Sequence, residues 1–348
     1  MNWALFEQLD RVRRLQGAVF DAVGLGPVET PYRAVYSETG VCLRRYGTAD
    51  GPGPLVLIVP APIKRPYIWD LAPEASVVRA CLAAGARVFL VDWQPAGPEY
   101  RLADYAERLI LACVEAAGGA PVFLLAHSLG GLFAAIFSVL HPDRVRGLAL
   151  LSSPLHFGMN AGILGAMVSG LDLDDLPELV PGSFLSMASL RASPQTFGWD
   201  RWADALLSLR DPAALRTHLQ VERWTLDEFP LPRALVAELA TLIVREDRFV
   251  RGTLQLDGRS VLPSRLAAPL LCVVDPRCRV VPPEAVLPFY ESAGSRDKTL
   301  LRYEGDVGVS LQHVGPLVGR GAHATLWPEI LRWIHLHSAQ AQGLRLDA

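Results

Sequence analysis

The sequence predicts an α/β fold in which helices cover both faces of a mostly parallel β-sheet. Short runs of apolar residues alternate along the chain with helix-length segments, which is the pattern of buried parallel strands joined by crossover helices. The predicted strands cover residues 55–59, 87–93, 122–125, 145–151, 270–274 and 299–303. The predicted helices include residues 74–84, 102–117, a segment that begins at 132, and 326–338.

A serine at a strand–turn–helix junction narrows this prediction. Residues 122–131 read VFLLAHSLGG, so that a buried strand runs into Ser128 and a helix follows. Ala126 and Gly130 have the small side chains that a sharp, strained turn needs next to its apex. This pattern is typical of the nucleophile elbow of α/β-hydrolases, with Ala126 in place of the usual first glycine. We therefore expect an α/β-hydrolase fold with Ser128 as the nucleophile.

The strand–helix alternation lapses between about residues 154 and 262. This stretch consists of helix-compatible segments separated by Gly and Pro, and it predicts a helical cap inserted into the core. The expected divisions are 1–45 for an N-terminal helix and lead-in, 46–153 and 263–348 for the hydrolase core, and 154–262 for the cap. Such caps shape substrate channels, and the apolar stretch 159–171 is expected to line an acyl pocket or touch a lipid surface.

Composition excludes several classes of protein. The 348 residues carry a formal net charge of −3, which gives no reason to expect nucleic acid as a partner. No apolar run is long enough to cross a bilayer, and residues 1–22 lack the apolar core of a secretory signal. We expect a cytoplasmic protein whose residues 1–22 form an amphipathic helix packed on the domain. No metal or dissociable cofactor is implied by the five cysteines, of which four are predicted to be buried, reduced thiols, namely Cys42, Cys81, Cys113 and Cys272.

Several ordered segments resemble the polyhydroxyalkanoate synthases, especially the short type with little N-terminal extension. Residues 60–71 read PAPIKRPYIWDL and are similar to the family's NRPYILDL. Residues 221–227 read VERWTLD where the family has MERWIFD, and residues 312–315 read QHVG where it has GHIG. The resemblance implies an enzyme of hydroxyacyl-CoA thioesters, a second subunit and an association with polyester granules.

Two departures from this family lie in the expected catalytic centre. The synthases carry a cysteine at the elbow, where this chain has Ser128. Their triad acid comes from a segment of the form xxDHxVPP, and here residues 276–283 read PRCRVVPP, which puts Cys278 at the position of the acid. A short expansion between residues 306 and 311 also precedes the histidine segment.

A serine needs a base to remove its proton, and His313 is the predicted base. It follows the last predicted strand, in the order nucleophile, acid, base that this fold requires. The acid stays open between Cys278, if neighbouring arginines ionise its thiol, Asp275 at a strand end, and Asp306 in the expanded loop. A Ser128–His313 dyad without an acid is the remaining alternative.

The oxyanion formed during acyl transfer needs two backbone N–H donors. Leu129, the residue after the nucleophile, is expected to supply one. The other is expected in the loop after the first core strand, where Pro60 and Pro62 have no N–H and leave Ala61 or Ile63. The family resemblance favours Ile63.

Three functions follow from these residues. Because water commonly resolves serine esters, the first expectation is a serine hydrolase of acyl esters or thioesters, including polyester oligomers and acyl-CoA. The first alternative is an acyltransferase or synthase-type polymerase that uses a CoA or carrier-protein thioester. The second alternative is a non-catalytic relative that binds granules or a synthase, since the acid is missing. A homo-oligomer or a complex with a synthase-type second subunit is the expected assembly.

Overall fold

An eight-stranded sheet organises the protein in the computed structural model, which describes residues 2–47, 51–158 and 162–343. In chain order the strands are β1 (Tyr32–Glu38), β2 (Val41–Tyr46), β3 (Leu55–Val59), β4 (Arg87–Trp93), β5 (Val122–His127), β6 (Val145–Leu151), β7 (Leu270–Val274) and β8 (Lys298–Arg302). Their order across the sheet is β1-β2-β4-β3-β5-β6-β7-β8. Within this sheet the pairs β1–β2 and β2–β4 are antiparallel and the other five pairs are parallel, so the prediction of a mostly parallel sheet is confirmed.

Helices surround this sheet and fill a long insertion between β6 and β7. In chain order they are α1 (Trp3–Ala22), α2 (Val77–Ala83), α3 (Leu109–Ala116), α4 (Leu129–Leu140), α5 (Leu164–Ser169), α6 (Gly182–Ala192), α7 (Asp200–Ser208), α8 (Pro212–Thr225), α9 (Arg233–Glu238), α10 (Leu287–Ser292), α11 (Gly315–Val318) and α12 (Trp327–Gly343). π-Helical turns precede or follow several of them, at Asp104–Arg108, Gln195–Trp199, Leu239–Arg245 and Ala322–Leu326. Across the described ranges, no helix is both long and apolar enough to cross a bilayer.

Apolar layers form on both faces of the sheet because the central strands are buried on both sides. All six residues of β5 are buried, and alternate side chains point to opposite faces. Leu124 packs in the layer that contains Phe133 of α4, whereas Phe123 packs in the layer that contains Trp327 of α12. These two layers hold the carboxyl end of β5, and therefore Ser128, in a fixed position.

The helices α5 to α9 belong to the insertion that was predicted as a cap. The N-terminal helix α1 packs on α6 and α8 of this insertion. The N–H of Ser183 donates to Asp10 at 2.8 Å, and the guanidinium of Arg223 binds Asp21 at 2.8 and 2.9 Å. Residues 159–161 of the apolar stretch lie outside the described residues, and the domain boundaries at 154 and 262 stay a prediction.

Two features of the first sheet edge differ from expectation. The antiparallel pair β1–β2 was not predicted, because β1 has no buried residue and β2 carries a charge in its middle. Arg44 of β2 is buried, with ion pairs to Asp92 at 2.7 Å and Glu29 at 2.6 Å. The prediction that Cys42 is buried is wrong, since this side chain is partly exposed next to the edge strand.

Candidate active site

The turn between β5 and α4 places Ser128 at the apex of the predicted junction. Its backbone has φ 56° and ψ −136°, a left-handed conformation that a serine adopts only when its surroundings enforce it. A Cβ at Gly130 would overlap the carbonyl of Val59, and one at Gly131 would overlap the side chain of Ser153. Both glycines therefore allow α4 to start close against the sheet, and this packing enforces the strained serine.

His313 meets this serine from the other end of the chain. It lies in a short 3₁₀ turn after β8, and its Nε2 is 2.9 Å from Ser128 Oγ. Burial, and secondarily the nearby His127, hold the pKa of His313 well below its usual value. The imidazole is therefore neutral at pH 7 and able to accept a proton.

The other imidazole nitrogen faces a thiol. Cys278 Sγ lies 3.5 Å from His313 Nδ1 and accepts the N–H of Val281 at 3.3 Å. Burial raises the pKa of Cys278 to about 12, so the sulfur is a neutral thiol at pH 7. Arg277 and Arg279, which were expected to favour a thiolate, are exposed, and the pKa of Cys278 is raised rather than lowered.

The two candidate carboxylates have other partners. Asp275 is fully buried and accepts the N–H of Arg277 at 2.8 Å, and burial raises the pKa of this carboxyl. Asp306 accepts the phenol of Tyr303 at 2.7 Å and backbone N–H groups near the C-terminal helix, at 2.9 and 3.2 Å. Within the described ranges neither carboxylate hydrogen-bonds to the imidazole. The structure thus brings a thiol, and no carboxylate, to the position that would orient the base.

His127 hydrogen-bonds to the main chain of His313. Its Nε2 is 2.7 Å from the carbonyl oxygen of His313, and because a carbonyl only accepts, this nitrogen carries the proton. Burial lowers the pKa of His127 to about 4, which keeps the ring neutral. His127 therefore has a structural role beside the elbow.

The predicted oxyanion donors line the cavity of the serine. Leu129 is the first residue of α4, where an N–H has no partner within the helix and the helix end favours negative charge. Ile63 follows β3, and its carbonyl accepts the N–H of Phe229 at 2.9 Å, which ties this loop to the insertion. Leu129, Ile63 and Ala61 all line the same cavity as Ser128. Their roles as oxyanion donors stay predictions.

A largely apolar chamber of about 830 Å³ opens over the serine. The walls combine α1, α5 and α6 with the loops that follow β3 and β8. The apolar side chains that line it include Leu9, Val12, Phe20, Ile163, Leu164, Met167, Leu185, Leu190 and Trp224. Three residues of the apolar stretch 159–171 line this chamber, namely Ile163, Leu164 and Met167, and its use as an acyl pocket stays a prediction.

A charged cluster in this chamber was not found from the sequence. Lys64 Nζ lies 2.8 Å from Glu228, and Arg13 Nε lies 3.1 Å from the same carboxylate. Burial lowers the pKa of Lys64, and the adjacent glutamate opposes this effect. These residues come from three distant segments, so no local pattern could have indicated that they meet.

The fold and much of the sequence match known proteins. Residues 54–196 match the family model of the α/β-hydrolase fold. The chain is 29% identical to the poly(3-hydroxyalkanoate) polymerase subunit PhaC of Allochromatium vinosum, over 94% of this chain and 96% of that protein. The PhaC subunit of Thiocystis violacea is 27% identical, over 95% and 96%.

Solved structures share the fold at low sequence identity. A monoacylglycerol lipase from Paleococcus ferrophilus has a TM-score of 0.55 and 19% identity, covering 85% of this chain and 99% of the lipase. The naproxen esterase of Bacillus subtilis has a TM-score of 0.55 and 16% identity, covering 93% and 98%. Together with the family model, these likenesses establish the predicted α/β-hydrolase fold.

Proposed function

We propose that this chain, which has the α/β-hydrolase fold and is similar to poly(3-hydroxyalkanoate) polymerase subunits, transfers acyl groups through an acyl-serine at Ser128. The observation that carries the proposal is the 2.9 Å contact between Ser128 Oγ and His313 Nε2 at the floor of an apolar chamber. Relatives that are polymerase subunits support a transfer reaction. They favour the synthase-type alternative over the hydrolase that the sequence analysis put first.

The first half-reaction forms the acyl-enzyme. His313 Nε2 takes the proton of Ser128 as Oγ attacks the carbonyl carbon of a hydroxyacyl thioester from CoA or a carrier protein. The N–H groups of Leu129 and Ile63 stabilise the resulting oxyanion. When the tetrahedral intermediate collapses, the C–S bond breaks and the departing sulfur takes the proton from the imidazolium.

The second half-reaction releases the acyl group to a hydroxyl. The acceptor donates its proton to His313 Nε2 and attacks the serine ester, and the proton then returns to Ser128 Oγ. The apolar walls of the chamber favour this outcome because they exclude water and hold an acyl chain. The net reaction forms one ester bond for each thioester bond broken.

Hydrolysis is the second candidate, and the serine itself favours it. A serine ester is a less reactive acyl donor to an alcohol than a thioester, so water competes more effectively for it. In that reaction the chamber, base and oxyanion donors have the same roles, and water replaces the acceptor alcohol. The two functions differ in whether an alcohol or water attacks the acyl-serine.

The test begins with intact mass after exposure to a fluorophosphonate. We expect one adduct on the wild type and on Ser169→Ala, a control at an exposed serine of α5, and none on Ser128→Ala or His313→Ala. Product analysis with 3-hydroxybutyryl-CoA, with and without an alcohol acceptor, then separates transfer from hydrolysis. Absence of any adduct on the wild type would contradict both and support the non-catalytic alternative.

The surface near α7 supports an association with polyester granules, which we also propose. Trp199 and Trp202 are each 72% exposed, and Leu206 and Leu209 continue this apolar face. A double Trp199→Ser, Trp202→Ser variant should bind poly(3-hydroxybutyrate) particles at least about tenfold more weakly, because each indole loses apolar contact area. Its fluorophosphonate labelling should be unchanged. Equal binding of the variant and the wild type would contradict the association through this face.

A further inference from the structure

We propose that Asp204, a buried residue of the cap, is a positioning residue that aligns His313 with Ser128. Asp204 lies on α7, only 7% exposed, and does not line the chamber of the serine. The inference rests on the proposed function, because the alignment affects catalysis only if His313 is the base. It assigns to the cap a part in the chemistry in addition to its part in enclosing the acyl chain.

The contacts of Asp204 reach the loop that carries the base. Its Oδ1 accepts the N–H of Gly308 at 2.9 Å, and its Oδ2 accepts the N–H of Ser310 at 2.8 Å. The same Oδ2 lies 2.7 Å from Nδ1 of His218 on α8. Bonds from a carboxylate to two backbone N–H groups fix the path of the main chain, and charge-assisted bonds of this kind are strong.

The loop needs such support because its backbone is unusual. Gly305, Gly308 and Ser310 have φ of 84°, 86° and 58°, so three of six consecutive residues are left-handed. A non-glycine residue persists in this region only when its surroundings enforce it. The loop also packs tightly on α8, since a Cβ at Gly308 would lie 2.6 Å from the carbonyl oxygen of Ala214.

His127 also holds the base, through the bond from its Nε2 to the carbonyl oxygen of His313 and a ring centroid that lies 4.5 Å from that of the imidazole. In a Ser-His-Asp triad the carboxylate orients the imidazole, whereas here Nδ1 faces only the neutral thiol of Cys278 at 3.5 Å. The ring direction of His313 must therefore come mainly from the main chain, and Ser310 is three residues before it. Residues 306–311 contain both N–H groups that bind Asp204, so a displacement of the cap from this loop would also displace His313.

Asp204→Asn tests this coupling, with Asp200→Asn as a matched control on the same helix. Asp200 binds the side chain of Gln195 at 2.6 Å and makes no hydrogen bond to the loop. In Asp204→Asn we expect faster hydrogen–deuterium exchange in the peptide that contains Gly308 and Ser310, because an amide repels one of the two N–H donors. We also expect fluorophosphonate labelling of the serine to slow by roughly 10- to 100-fold, the effect of a misplaced catalytic group.

The same substitution made in a Cys278→Asp protein separates an effect on the orientation of His313 from an effect on general stability. In Cys278→Asp a carboxylate orients the imidazole directly, so Asp204→Asn should slow labelling there by less than about threefold. An equal loss in both backgrounds, or unchanged exchange in the loop, would overturn the proposal. His218→Gln leaves both loop bonds in place and should behave like the control. If the wild type is not labelled at all, the proposed function fails, and unchanged exchange would still overturn the inference.

Discussion

Replacing Cys278 by aspartate measures what the absence of a triad carboxylate does to this site. Cys278 Sγ is 3.5 Å from His313 Nδ1, and an aspartate oxygen extends about one bond further, to roughly the 2.7–2.9 Å of a charge-assisted hydrogen bond. The N–H groups of Val280 and Val281, which now face the sulfur, would receive the carboxylate. Two backbone donors would therefore be available to the carboxylate, against the cost of its burial.

The expected increase in the labelling rate follows from the positive charge that forms on His313 during the reaction. A hydrogen bond to a charged group contributes about 1.5–3 kcal/mol, and this bond gains its full strength when the imidazolium forms in the transition state. At about 1.4 kcal/mol for each factor of ten, Cys278→Asp should react roughly 10- to 150-fold faster. The assay is the second-order rate constant for labelling of Ser128 by a fluorophosphonate, read by intact mass.

Cys278→Asn is the matched control for this substitution. It has the shape of aspartate without the charge, so it should give no increase and can stabilise the tautomer of His313 that cannot act as a base. A folded Cys278→Asp, with an unchanged melting temperature, that labels no faster than the wild type would refute the reasoning. It would mean that the imidazole is already oriented as well as a carboxylate could orient it.

Three further predictions concern the same centre. The pKa of His313 is held well below its usual value of about 6.5, and the base must be neutral to act. Labelling should therefore persist as the pH falls to about 6.5 and be lost only well below it. A pH–rate profile with its acid limb at or above that value would contradict this. Gly130→Ala should slow labelling at least about 100-fold because its Cβ overlaps the carbonyl of Val59, whereas Gly165→Ala, where a Cβ meets open space, should label normally in the same assay. Ser128→Cys should raise the ratio of transfer to hydrolysis roughly tenfold in product analysis, since a thioester is the better acyl donor to an alcohol, and a fall in that ratio would count against transfer.

The elbow was predictable because all its determinants are adjacent in sequence. The apolar strand, Ser128 and the glycines that follow it form a single local pattern, and six strands of the sheet were predicted as continuous apolar runs. The first two strands were not, because β1 is exposed and the charge of Arg44 in β2 becomes acceptable only through a distant partner, Asp92. A buried ion pair between distant residues produces no hydrophobic periodicity in the sequence from which the strand could be predicted.

The acid position could not be settled from the sequence for a similar reason. Asp275, Cys278 and Asp306 all precede His313 in the chain, as the order of the triad requires, and only the path of two loops decides which of them reaches the imidazole. The neutral state of the thiol depends on burial, which composition does not show. The chamber is lined by α1 and by α5 and α6, which are more than a hundred residues apart in sequence. Only the tertiary structure shows that these helices pack around one cavity.

The helix α1 supplies one wall of the apolar chamber over Ser128, although it precedes every strand of the sheet. Leu9, Val12 and Phe20 project from it into the cavity, while the helix itself is fastened to α6 and α8. Substitutions on this helix can therefore lengthen or shorten the space for an acyl chain without disturbing the elbow or the base. Under the proposed function, the space for the acyl chain and the reactivity of the serine therefore depend on separate stretches of the polypeptide, and substitutions in α1 can change the first without changing the second.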